Sequence, residues 1–345
     1  MGIEMNVKGG NLTRKDIAKE AGVSPSTVSR ALSGSPLIPE KTVERIRKIS
    51  FRLGYSPNIL ARRLAANRSY QIGFALEFQE QRMRKGPIQM SYYSSILDAM
   101  IMEAFPKNYS VSIQPYKTEG DGSVRHFKEL ISSRHADGLV FAGLTQNSRM
   151  PFSLMENKIP FVLIGTMPSD RKILSVNVRF EDAFSEMFST LESKKYRRIF
   201  FVGGDLAYYH AISQKKAFLE ELGNSRIGLA GELKGDYSRT SGYAAAVEIL
   251  KMRRKGDCVF LANDRMAAGF YRCCYERNVK IPGEIGVMGS DDDSACHNLF
   301  PELCTIRQPR YEMGRIALKM LIGTINGELA KSVLLDQSFI SRASI

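Results

Sequence analysis

Residues 12–32 read LTRKDIAKEAGVSPSTVSRAL, and this stretch decides how the amino terminus folds. Thr13 is a good helix N-cap with Asp16 three residues on as a capping-box partner, and Leu12 and Ile17 stand at staple spacing across it. The helix this starts runs to about Glu20. Ala21-Gly22-Val23 interrupts it, with Gly22 suited to the left-handed turn between two helices. Ser24 then caps a second helix whose first position is Pro25, where no amide partner is lost. Ile17, Ala18, Ala21, Val23, Val28 and Leu32 fall at helical spacing on one side. Val43, Ile46 and Ile49 of a third helix, about Glu40 to Leu53, join them. The outward face of the second helix keeps only short polar side chains, Ser26, Thr27 and Ser29, together with Arg30.

Charge points the same way. Residues 1–69 hold 13 lysines and arginines against 5 acidic residues, so +8 of the chain's formal +13 lies in its first fifth. A basic excess concentrated in a short segment suits a polyanion, because phosphate neutralisation supplies most of the non-specific affinity for nucleic acid. Three helices with a small polar face on the second describe a helix-turn-helix whose reading helix fits the major groove. There Arg30 can reach a base edge or a phosphate.

The core Ala21-Gly22-Val23-Ser24-x-x-Thr27-Val28-Ser29-Arg30 resembles the headpiece of the lac repressor/galactose repressor (LacI/GalR) family. The resemblance places Pro25, Ser26 and Arg30 at base-discriminating positions and Thr27 and Ser29 at phosphate-contacting ones. Thr13 and Ser24, at the two helix starts, complete the DNA-facing candidates of the headpiece. Gly54-Tyr55-Ser56-Pro57-Asn58 closes the third helix, and residues 58–66 (NILARRLAA) form a short helix-prone segment, too short to be stable alone in water. In the family this is a hinge helix that orders on operator DNA. Asn58, Ala61 and Leu64 match it, Leu64 as a wedge into the central base step of the minor groove, with Arg62 and Arg63 beside it for flanking phosphates.

From Gln71 onward, short apolar runs (72–76, 111–114, 138–141, 161–164, 199–202, 259–261 and 285–288) alternate with amphipathic stretches near 92–105, 123–134, 180–193, 209–222, 240–253 and 265–277. Such alternation predicts parallel sheets covered by helices on both faces, with ligands gathering at the carboxyl ends of the strands. The resemblance extends here through residues 260–269 (FLANDRMAAG), 281–292 (IPGEIGVMGSDD) and 303–309 (LCTIRQP). It implies an all-α headpiece, residues 1–56, and a hinge and linker, 57–69. These precede an α/β, two-lobed, periplasmic-binding-protein-like effector and dimerisation domain over 70–345. The lobes are expected at 70–177 plus 308–331 and at 178–307 plus 332–345.

By the same resemblance, effector contacts fall on Tyr92 and Tyr93 from the first lobe, and on Tyr237, Asn263, Asp264 and Asp291 from the second. Two positions depart from the family. Its usual arginine is Gln214 here, and an aspartate that often follows the 161–164 strand is Gly165, so a bidentate cation and an acceptor are both lost. A loop rich in charge and glutamine, Glu77 to Gln89, replaces a shorter connection.

Other classes find little support. His126, His135, His210 and His297 are scattered without metal spacing, and surface or capping roles are expected of them. Asp291-Asp292-Asp293 reads as a solvated loop with one ligand-facing aspartate, because three successive residues do not converge on a cation. Gly203-Gly204 lacks the spacing of a phosphate loop. Cys273-Cys274 have no histidine to activate them. No catalytic constellation, metal site or cofactor motif is expected, and no apolar run is long enough to cross a membrane. Five cysteines without framework spacing, and no secretory signal at the start, suit reduced thiols in the cytoplasm.

The expected function is a transcriptional repressor that binds a pseudo-palindromic operator as a homodimer. A small-molecule effector, a sugar or sugar derivative, would control it from the interlobe cleft. The absence of leucine heptads near Ile345 favours dimers over tetramers. Two alternatives stand beside this reading: a regulator whose altered cleft answers to a protein corepressor, and a cytoplasmic solute-binding α/β protein.

Overall fold

Asp16 accepts from the Thr13 amide at 2.8 Å and from Thr13 Oγ at 2.7 Å, closing the start of α1 (Arg14–Ala21) and holding its own carboxyl below the usual range. Leu12 stays 42% exposed, so polar bonds rather than an apolar staple carry this cap. Gly22 ends the helix at φ 61°, in the left-handed region that glycine tolerates. Helices α2 (Pro25–Leu32) and α3 (Glu40–Arg52) follow. Ile17, Ala18, Ala21, Val28, Ala31, Val43 and Ile46 form the buried centre of this unit, with Val23, Leu32 and Ile49 partly buried around it.

The computed structural model describes residues 12–32, 35, 37–55, 68–77, 90–116 and 122–345, divided into one unit that ends at Arg68 and another that starts at Ser69. Asn58, Ala61, Arg62 and Leu64 lie outside the described residues, as does nearly all of the Glu77–Gln89 loop.

In the second unit, strands β1 (Gln71–Glu77), β2 (Ser110–Tyr116), β3 (Gly138–Ala142), β4 (Phe161–Ile164) and β5 (Ser175–Arg179) alternate with helices α4 (Met90–Ala104), α5 (Gly122–Ser132) and α6 (Met150–Glu156). A second run comprises α7 (Glu181–Ser193), β6 (Arg198–Gly203), α8 (Tyr209–Asn224), β7 (Gly228–Lys234), α9 (Arg239–Met252), β8 (Asp257–Leu261), α10 (Asp264–Glu276), β9 (Gly286–Asp291) and β10 (Cys304–Arg307). The chain closes with α11 (Arg310–Ile325), β11 (Val333–Asp336) and β12 (Ser338–Ile340).

Two six-stranded sheets result, ordered β11-β5-β4-β3-β1-β2 and β12-β10-β9-β8-β6-β7. All neighbours are parallel except β10 and β12. Helices on both faces explain why β3 and β8 are buried at every residue and read as continuous apolar runs. Phe201 of β6 and Phe260 of β8 stack on each other, and Phe184 and Phe218 pack against them from α7 and α8, Phe184 edge-on. The five cysteines are all buried as free thiols.

The expected lobe boundaries need correction at two places. β5 runs on to Arg179, so the first crossover lies after 179 rather than at 177. Residues 333–336 were expected in the second lobe, yet β11 pairs with β5 in the first sheet, and only β12 joins the second. The chain therefore passes between sheets three times, after β5, after β10 and at Gln337.

Candidate functional site

The headpiece presents its outward residues as a small polar surface. Ser24 Oγ accepts from the Thr27 amide at 3.1 Å and lies 2.7 Å from Ser26 Oγ and 2.8 Å from Thr27 Oγ. That bond satisfies an otherwise orphaned amide and fixes the first turn of α2. Pro25, Ser26 and Arg30 are exposed, while Thr27 and Ser29 are half-buried. Arg14 donates to Ser29 Oγ at 3.2 Å, tying the two helices together at the polar face. A second basic feature escaped the reading of the motif: Lys41, Arg45, Lys48 and Arg52 follow one stripe of α3, with Arg52 paired to Glu20. Their helical spacing was the available signal. Ser24→Ala should remove about 1 kcal/mol of local stability. Hydrogen exchange at Thr27 and Val28 should then quicken about fivefold in the full chain; unchanged rates would show that the cap carries nothing.

The second candidate site lies where the two lobes meet. Tyr92 and Tyr93 are in edge contact, their centroids 5.1 Å apart, on α4 of the first lobe. Tyr92 donates its hydroxyl to Gln308 Oε1 at 3.2 Å, and Gln308 Nε2 donates to Asp291 Oδ1 at 2.7 Å. The second crossover thus links an aromatic of one lobe to the carboxylate at the end of β9 in the other. Asp291 is held at φ 121° and Asp292 at φ 53°, conformations that side-chain-bearing residues rarely adopt and that cluster at ligand sites. Burial together with the Asp264 charge raises the Asp291 carboxyl well above the usual range.

Gly165, at φ 72°, lines a recess with Tyr92, Asn177, Phe180, Tyr209, His210, Ser213 and Met313. The recess holds about 10 Å³, the space of one water, so the lobes meet closely here. His210 was expected at the surface or in a cap. It lies instead against Phe180, 3.3 Å from Gln308 Nε2, and desolvation lowers its imidazole to about 4, which keeps it neutral near pH 7. His126, His135 and His297 are exposed.

Other expected contacts are placed with their side chains already engaged. Asn263 Oδ1 accepts from the Met266 amide at 2.9 Å, capping α10, and its Nδ2 donates to the Tyr237 carbonyl at 3.2 Å. Tyr237 lies against Gly204, where a Cβ would fall 2.1 Å from the ring, so the second glycine of Gly203-Gly204 makes room for this aromatic. Gln214 is fully buried and donates to the Ala262 carbonyl at 3.3 Å. Asp264 faces inward: its oxygens accept from Thr305 Oγ at 2.6 Å, Cys296 Sγ at 2.9 Å and the Asp293 amide at 2.8 Å. The triplet is also less solvated than expected, since Asp292 pairs with Arg307 at 2.7 Å and Arg342 at 2.6 Å.

Burial raises the Asp264 carboxyl from 3.8 to about 7, against the three bonds that favour its charge. A carboxyl that holds its proton more tightly folded than unfolded contributes stability at low pH, and this is lost as pH rises from about 4 to about 7. In urea titrations the margin of the wild type over Asp264→Asn should therefore shrink across that window. A margin that widened from pH 4.5 to pH 7 would contradict the assignment.

Comparison with known proteins follows the same division. The model for bacterial regulatory proteins of the lacI family matches residues 13–58, and that for a periplasmic binding protein-like domain matches residues 188–345. Catabolite control protein A of Priestia megaterium is 26% identical over 330 residues, covering 94% of this chain and 96% of its own. The probable HTH-type transcriptional repressor ExuR of Bacillus subtilis (strain 168) is 25% identical over 339 residues, with 97% and 98% covered. A crystal structure of the lac repressor dimer, bound to operator and the anti-inducer ONPF, shares the fold with a TM-score of 0.78 at 23% identity, over 97% of this chain and 99% of that one. Among the described residues no helix is long and apolar enough to cross a membrane.

Proposed function

Because this chain belongs to the lacI family of bacterial regulatory proteins, we propose that it is a cytoplasmic repressor acting as a homodimer on a pseudo-palindromic operator, its affinity set by a small molecule held between the lobes. The observation that carries the reading is the polar face of α2, with Pro25, Ser26 and Arg30 exposed on a helix whose other side is core. One such helix contacts too few bases for useful specificity, so two copies are needed. Exposed apolar side chains support the dimer: Ile101 and Met102 near the end of α4, Phe105 just after it and Ile113 on the edge strand β2 are 46%, 64%, 81% and 47% exposed.

The cleft reading rests on the bridge from Tyr92 through Gln308 to Asp291, which joins the lobes across the recess. A ligand that binds one arrangement of the lobes better than another shifts the population toward it. By linkage, the same ligand then alters operator affinity. Sedimentation of the full chain should give a dimer, and titrating candidate sugars and sugar derivatives into an operator complex should change its anisotropy. A stable tetramer would refute the dimer. An operator affinity that no such molecule alters would turn the reading toward a protein corepressor.

A further inference from the structure

The interlobe site contains a cation whose hydrogen-bonding capacity is not met among the described residues. Arg310, the first residue of α11, is 7% exposed, and its guanidinium carbon lies 5.7 Å from the centroid of the Tyr92 ring. Nη2 reaches the Asp292 carbonyl only at 3.4 Å. Nη1 is shielded from water and has no acceptor among the described residues. A guanidinium offers five donors in a fixed fork, and a charged donor buried without a partner is costly.

Among the described residues, the surrounding carboxylates do not supply the missing acceptor. Asp292 gives its oxygens to Arg307 and Arg342, and Asp264 is committed to Thr305, Cys296 and the Asp293 amide. Asp291 is near enough to feel the Arg310 charge, but the bond it makes is to Gln308. On the first-lobe wall of the recess, Asn177 Oδ1 is likewise buried without a donor. One edge of the site therefore offers a cation seeking an anion, and the other an acceptor seeking a hydroxyl. Gln214 removes the cation expected from α8, and Arg310 brings one in from α11 instead.

We propose that Arg310 receives the acidic group of a hydroxylated organic anion, a sugar carboxylate or sugar phosphate, while Asn177 accepts from one of its hydroxyls. This rests on the cleft being the effector site and narrows the class of molecule it takes. Charge-assisted, bidentate contact with a planar or tetrahedral oxyanion is what a guanidinium does best. The lobes must part to admit such a ligand. They are bridged beside Tyr209 by the Gln146 amide on the Ala207 carbonyl at 2.8 Å and by Tyr208 on Glu77 at 3.3 Å.

Calorimetric titration of the full chain with glucose, glucuronate and glucose 6-phosphate tests this. At least one of the two acids should bind, with glucose at least about tenfold weaker. Binding of glucuronate alone identifies a carboxylate site, and binding of glucose 6-phosphate alone a phosphate site. Arg310→Met should weaken the acid at least about tenfold while keeping a cooperative thermal transition, and Arg310→Lys should recover part of the loss. Failure of both acids to bind, or full acid affinity in Arg310→Met, overturns the proposal. Binding of glucose alone would overturn it while leaving the effector cleft intact.

Discussion

Gly269→Ala is expected to destabilise the two-lobed unit by about 3 kcal/mol. A Cβ at residue 269 would stand 1.9 Å from the Arg239 carbonyl oxygen and 2.9 Å from the Tyr243 amide nitrogen. The reciprocal position on α9 is as tight, since a Cβ on Gly242 would lie 2.0 Å from the Met266 carbonyl oxygen. Both obstacles are backbone, so no side chain can swing aside and the helices must separate. Separation moves α10, whose start carries Asn263, and Asn263 holds the Tyr237 carbonyl. The substitution should therefore lower the urea midpoint and also weaken any ligand that binds at Tyr237. Hydrogen exchange in α1–α3 should stay as in the wild type, because the headpiece has its own core. An unchanged midpoint would mean that α9 and α10 are not in backbone contact.

Arg30→Ala should have the largest effect on DNA binding. If Arg30 grips a base edge, each copy loses about 1–3 kcal/mol, and a dimer on two half-sites loses about twice that. Discrimination at one base pair of each half-site should relax at the same time. If it grips phosphate instead, affinity falls evenly across sequences and the salt dependence of binding becomes shallower by about one ion per copy. The headpiece fold should survive, because Arg30 is exposed and its neighbours Val28 and Ala31 supply the core contacts. Equal affinity, specificity and salt slope in the variant would remove Arg30 from the interface.

How far the sequence could be read depended on whether a feature was local. The headpiece was legible because its signals are: Thr13 with Asp16, Gly22 at φ 61°, and Ser24 before Pro25 each act within one turn. Most buried parallel strands were legible as apolar runs, but β5 and β10 were not, because SVNVR and CTIR mix polar residues into short buried strands. β7 was not, because this edge strand is half exposed and its residues, GLAGELK, form no such run. β11 and β12 are separated only by Gln337, yet they join different sheets, a choice made by pairing with β5 and β10 rather than by their own residues. In the cleft, Tyr92 and Asp291 meet through Gln308 with Tyr93 against Tyr92, whereas Tyr237 is placed by Asn263 and Gly204. His210 and Arg310 were missed because their burial arises only when the two lobes meet, which nothing in their local sequence announces. Asp264 adjoins Asn263 in sequence, but the helix turns it into the interior.

The central claim is that this chain reads DNA as a symmetric pair through α2. Selection of bound duplexes from a random pool by the full-length protein, repeated with Arg30→Ala and Leu64→Ala, tests it most directly. The account predicts an enriched palindrome with a central CG step. Arg30→Ala should lose preference at a symmetric pair of flanking positions, and Leu64→Ala should lose it at the centre. Enrichment of a single, non-palindromic half-site, or of no sequence at all, would contradict it.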